Sequence, residues 1–116
     1  MTNKYEKITL YRDDEPKPLT FDGKQIGFAI DRPPDLLTWT QVSLFKTKGR
    51  KYILYLEHLT VRSGEPTWRE PIVYDTLNDV FEGFERRFGD FAYYFSKKIQ
   101  KQVKAAGIII RGDKVA

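Results

Sequence analysis

Leu36-Leu37-Thr38-Trp39-Thr40-Gln41-Val42-Ser43-Leu44-Phe45-Lys46 and Lys51-Tyr52-Ile53-Leu54-Tyr55-Leu56-Glu57-His58-Leu59-Thr60-Val61 flank a short basic segment, Thr47-Lys48-Gly49-Arg50. Both flanks are rich in β-branched and aromatic side chains, which fit a pleated, half-buried surface. Gly49 is expected to supply the positive φ of a tight reversal, so the stretch predicts a long β-hairpin. Leu36, Val42 and Leu44 fall on one parity and Leu37, Trp39 and Phe45 on the other. Apolar residues on both faces are the mark of central strands.

Working outward to the N-terminus, Tyr5 to Arg12 alternates, with Ile8 and Leu10 on one face. That predicts a half-buried strand, broken by the acidic, proline-bearing run Asp13 to Pro18. Leu19 to Phe21 opens a second strand, and Asp22-Gly23 reads as a hairpin signal. From Lys24 to Ile30 the pattern predicts a third strand. It carries Ile26, Phe28 and Ile30 on one face and the small residues Gly27 and Ala29 on the other, which invites a helix to lie there. Asp31 to Asp35 is a loop, because Pro33 and Pro34 fix φ and remove ladder donors. Beyond the hairpin, Arg62 to Pro66 reads as a turn, and Thr67 to Tyr74 as an edge strand because Pro71 cannot donate to an interior ladder.

After Asp75 the apolar period changes from two to 3.6. Leu77, Val80, Phe81, Phe84 and Phe88 form one helix stripe, with Thr76 or Asp75 as its cap and Gly89 as its stop. Asp90 can cap a second helix, which carries Phe91, Phe95, Ile99 and Val103 and ends at Gly107. The apolar run Ile108-Ile109-Ile110 is expected to pair as a strand or dock on the core. The fold class is therefore α+β: an antiparallel, meandering sheet of about five or six strands over residues 5–74, then two helices over residues 76–106 packed on one face. With 116 residues and no repeat or linker, the chain reads as a single domain over residues 1–116.

Several of these features occur in an order that resembles the EXLDI family of small prokaryotic proteins. They are the N-terminal strand, the Phe21-Asp22-Gly23-Lys24 turn, Trp39-Thr40 opening a strand, the Phe45–Tyr55 hairpin, and Tyr74-Asp75-Thr76-Leu77-Asn78-Asp79-Val80 entering a helix. The resemblance covers about residues 5–85. Longer members begin with a segment suggestive of a ribbon-helix-helix, which has no counterpart before Tyr5. The Glu-x-Leu-Asp-Ile ending is replaced by Lys114-Val115-Ala116. The resemblance implies the fold and a microbial origin; it implies no activity and no site residue.

Composition narrows the function classes. Without cysteine there is no thiol nucleophile, disulfide scaffold or thiolate zinc site. No apolar run approaches the roughly 20 residues that cross a bilayer, and no apolar signal segment follows Met1, so a soluble cytoplasmic protein that avoids membranes is expected. Aromatics make up 15% of the chain; such large rings let a thin domain bury area economically, and some are expected at an interface.

Catalytic and metal constellations do not assemble. His58 is the sole histidine, and its neighbour Glu57 points to the opposite strand face, so it is expected to be a bonded sheet histidine rather than a base. Asp13-Asp14-Glu15 lacks the spacing of a calcium loop, no phosphate-binding glycine loop is present, and no catalytic, metal or cofactor residue is assigned. The signal that stands out is basic. Lys97, Lys101 and Lys104 share a helix face, with Lys98 nearby and Tyr93 one turn earlier; Lys46, Lys48, Arg50 and Lys51 cluster at the hairpin tip. Such a stripe tracks phosphates while an aromatic ring stacks on a base, but it also serves simple solvation of an outer helix face. With a net charge of only +4, a non-enzymatic protein-interaction or regulatory role ranks first. Its partner is another protein or a second copy forming a homodimer. A nucleic-acid-binding accessory role through the lysines comes second, and an enzyme third.

Overall fold

The structure, a computed structural model, describes residues 5–13, 15–31, 37–61, 64, 66–88 and 92–108, with backbone alone at 85, 87, 88 and 92–94. The elements are β1 (Glu6–Leu10), β2 (Leu19–Asp31), β3 (Thr38–Thr47), β4 (Tyr52–Thr60), β5 (Trp68–Tyr74), α1 (Leu77–Phe88) and α2 (Ala92–Ala105). The strands form one five-stranded antiparallel meander in chain order. The expected α+β architecture is thus present, with β1 and β5 at the edges.

The central hairpin forms as its composition requires, but its turn differs in one respect. Gly49 does not take a positive φ; Arg50 does, at 67°. Arg50 N–H donates to the Thr47 carbonyl at 3.1 Å, and Thr47 N–H donates to the Lys51 carbonyl at 2.8 Å. This is a three-residue loop whose last residue must be left-handed, so the demand falls one position beyond the glycine. Thr47 Oγ1 accepts from Lys51 N–H at 2.9 Å and holds the reversal.

A second correction concerns Asp22-Gly23, which is no hairpin. The expected second and third strands are one 13-residue strand, β2. Gly23 lies opposite Glu6 of β1 on one side and Thr47 of β3 on the other. A Cβ there would meet the Phe21 ring at 2.7 Å and the Lys46 carbonyl oxygen at 2.8 Å, so glycine serves close approach rather than reversal. Between Gln25 and Gly27 the pairing with β3 slips by one residue, leaving Ile26 as a β-bulge. The bulge resets the alternation. Ile26, expected on the face of Phe28, is buried beneath the helices with Ala29, while Phe28 is 38% exposed on the other side.

Two cores result, one on each face of the sheet. On the helix side, Ala29, Val42, Leu44, Leu54 and Leu56 meet Val80 and Phe84 of α1 and Phe95, Ile99 and Val103 of α2. The small residues of β2 admit α2 closely: a Cβ on Gly27 would come within 2.9 Å of Ile99 Cγ2. Thr76 caps α1 through Asp79 N–H at 3.1 Å, while Asp75 pairs with Lys51 instead. At the end of α2, Gly107 has φ 80°, its N–H donates to the Lys104 carbonyl, and Ile108 N–H donates to the Val103 carbonyl. That is a Schellman cap, and Ile108 packs on the core as its apolar contact. The expected signals at Gly89, Asp90, Phe91, Ile109 and Ile110 lie outside the described residues.

The second core is smaller. Leu10, Phe45, Ile53 and Tyr55 are buried there with Ile8, Leu19 and Phe21 against them. No helix covers it. Instead the sheet curls, so that β1 and the segment after it cross this face. Tyr55 Oη donates to the Tyr11 carbonyl at 2.5 Å. Asp13 reaches the outer edge of β5, where Asp13 Oδ2 accepts from Arg69 N–H at 2.8 Å and Asp13 N–H donates to the Arg69 carbonyl at 3.3 Å. Pro71 shares the parity of Arg69, so its missing N–H would also have faced this outer edge. Its place confirms β5 as the edge strand that proline demanded.

Candidate functional site

One end of the sheet lies at the Thr47–Lys51 turn, and the other lies where β3 begins and β4 finishes. Beyond the small core the in-register pairs Gln41↔Glu57 and Glu57↔Arg69 place three polar side chains in one row across β3, β4 and β5. Trp39 Nε1–H donates to Gln41 Oε1 at 3.2 Å, Gln41 Nε2–H donates to Glu57 Oε1 at 2.9 Å, and Arg69 Nε–H donates to Glu57 Oε2 at 3.2 Å. Both carboxylate oxygens of Glu57 are therefore engaged. The carboxylate is thereby fixed in orientation by bonds from both sides.

Apolar side chains surround this end. Val61 N–H donates to the Leu37 carbonyl at 2.9 Å, which sets Leu37 and Val61 side by side at 41% and 68% exposure. On the other face of the same end, Trp68 stacks on His58 with ring centroids 5.8 Å apart. His58 Nδ1 lies 3.3 Å from Thr40 Oγ1. His58 and Glu57 point to opposite faces, as their adjacency in a strand requires, so no carboxylate orients the imidazole from that position. The ring serves as a platform for Trp68.

Electrostatics reinforce the boundary between the small core and the polar row. The Tyr55 hydroxyl is pushed up to about 12, first by burial and then by the nearby Glu57 carboxylate. Tyr52, on the opposite face, is raised by burial and by Tyr5. Neither is a phenolate near neutrality, which removes both from consideration as bases.

The basic residues fall on separate elements. Lys97, Lys98, Lys101 and Lys104 are exposed on α2, and Lys48, Arg50 and Lys51 are exposed at the turn between β3 and β4. Lys51 Nζ lies 3.4 Å from Asp75 Oδ1, so part of the turn's charge is locally balanced. The side chain of Tyr93 lies outside the described residues. Among the described residues there is no group of three or more metal-ligating side chains, and no helix is long and apolar enough to cross a membrane. The polar row escaped sequence reasoning because Gln41, Glu57 and Arg69 meet only once the register of three strands is known. Their shared odd parity was the one available signal.

Compared with known proteins, the chain matches no family model, no curated protein and no solved structure.

Proposed function

We propose that this chain is a non-enzymatic protein-interaction or regulatory module that receives its partner at the end of the sheet where β3 begins and β4 finishes. The observation that carries the reading is the placement of Leu37, Val61 and Trp68, all exposed, around that one end. Trp68 is held in place by His58, and a pre-positioned aromatic ring loses little freedom on docking. The ordered row of Gln41, Glu57 and Arg69 beside Leu37 and Val61 supplies fixed polar groups to orient the partner. A cytoplasmic setting, a second copy as the partner and membership of the EXLDI family belong to the same proposal. The family reading is supported by the long hairpin followed by the Thr76-capped helix.

The nucleic-acid reading stands second, supported by four exposed lysines on α2. One experiment separates the two. Leu37→Glu with Val61→Glu should abolish partner binding, or pairing of two copies measured by light scattering, and leave the melting temperature nearly unchanged because both sites are exposed. Replacing Lys97, Lys101 and Lys104 by Gln should leave that binding intact. The reverse pattern would support nucleic-acid contact: lost affinity for DNA or RNA in the lysine variant, with a salt slope reduced by roughly two to three.

A further inference from the structure

Gln25 and Phe28 stand at a spacing that puts side chains on opposite faces of a regular strand. The bulge at Ile26 brings them to one face. Gln25 pairs with Phe45 of the smaller core and Phe28 with Ser43, so both side chains face away from the helices. Glu6 shares that face, having the parity of Ile8 and Leu10 in β1. These side chains border a cleft of about 700 Å³, a volume suited to a small molecule. Phe28 is held in its wall from behind. Gln102 Oε1 accepts from Phe28 N–H at 2.6 Å, and Gln102 Nε2–H donates to the Phe28 carbonyl at 2.7 Å.

Ser43 lines the same cleft. It is only 7% exposed, and its hydroxyl bonds no other described residue. Among the described residues no unpaired side-chain polar atom is sealed away, so this hydroxyl opens on the cleft. A polar group held so deep costs stability unless something bonds it. Gln25 Nε2–H donates to the Gly27 carbonyl at 3.3 Å, which leaves Gln25 Oε1 as an acceptor. With the Glu6 carboxylate and the Phe28 ring, the lining offers a negative charge, two oxygen acceptors and a π surface. Lys24 also borders the cleft but has the opposite parity, and its Nζ lies 5.3 Å from the centre of the Tyr5 ring. We infer that the cleft binds a small organic ammonium ion with an apolar body. Glu6 supplies the counter-charge, Ser43 and Gln25 accept its hydrogen bonds, and Phe28 is its aromatic wall. The site is separate from the end proposed for partner docking, since Gln25 lies opposite Phe45, near the Thr47–Lys51 turn.

Phenethylammonium, phenethyl alcohol and phenylpropionate are probes alike in their ring and arm and different in charge. Followed by amide NMR shifts, phenethylammonium should saturate with a dissociation constant of about 1 mM or below, moving the Phe28 and Ser43 amides. The alcohol and the acid should bind at least about threefold more weakly. Glu6→Gln should weaken the ammonium by about threefold to fivefold, and because Glu6 is exposed the fold is not disturbed. Ser43→Ala should weaken it by about threefold or more through one lost hydrogen bond. Lys24→Gln should leave it unchanged or tighter. Absence of saturable binding overturns the inference, as does equal binding of the alcohol. So does a preference for the acid that Lys24→Gln removes, since the cleft is then an anion site.

Discussion

Ile53 and Leu54 are neighbours in β4 and point into different cores. Leu54 faces two helices whose apolar stripes were already complete in the sequence, so its core is closed by side chains selected over long elements. Ile53 faces a space that, among the described residues, the curl of the sheet closes, and what holds that curl is polar: the Tyr55 hydroxyl on the Tyr11 carbonyl, and Asp13 on the edge of β5. One face is sealed by area and the other by a few directed bonds. The two should fail differently.

The largest effect belongs to the helix side. Phe84→Ala should cost about 3–5 kcal/mol in denaturant unfolding, because the ring is fully buried and α1 cannot collapse onto the sheet to fill the gap. Leu54→Ala should fall toward the upper part of the roughly 2–5 kcal/mol range for such truncations and Ile53→Ala toward the lower part, since the thinner core relaxes more readily. Equal losses at the two positions would erase the distinction.

A smaller effect tests the polar seal. Tyr55→Phe should cost about 1 kcal/mol near neutrality through the lost hydrogen bond. The hydroxyl's pKa is raised in the fold, so burial of the neutral phenol stabilises the protein below its ordinary value of 10.0, and that contribution disappears as pH climbs toward about 12. Wild type should therefore lose more stability than the Phe variant across this alkaline window. Parallel urea titrations at its two ends measure the difference, which also cancels every contribution common to both proteins.

The smallest effect lies outside both cores. Arg50→Gly should stabilise by up to about 1 kcal/mol, because the left-handed position no longer carries a Cβ. Gly49→Ala should be nearly neutral, as the space beside it is open, with Thr47 Oγ1 at 3.8 Å the nearest group. Thermal melts of the pair would reverse the assignment if Gly49→Ala proved the more damaging.

What the sequence made legible follows the range of the forces involved. The apolar stripes of α1 and α2, the caps at Thr76 and Gly107, and the edge position of Pro71 depend on near neighbours, and each was readable. So was the helix lying on Gly27 and Ala29. The misreadings share a different cause. Asp22-Gly23 looks like a turn until β1 and β3 are both laid against it. The left-handed turn residue was displaced by one because loop type, and not glycine alone, decides where it falls. Gln102 carried no signal at all, since nothing within α2 announces that its side chain will accept from the Phe28 N–H, 74 positions away. The exposed apolar residues of the proposed site were readable as strand-end side chains but not as a cluster.

The bulge at Ile26 makes β2 a strand with two phases. Before it, Leu19 and Phe21 serve one core; after it, Ala29 serves the other, and the extra residue is what moves the chain between them. The tolerance of β2 to a missing residue should therefore depend on where the cut falls. Without Ile26, Gln25 and Gly27 become neighbours opposite Phe45 and Leu44, and both halves of the strand keep their faces, at the cost of one buried side chain. A deletion within the regular ladder at Phe28 or Ala29 has no spare residue to absorb it and turns the side chains on one side of the cut to the wrong face.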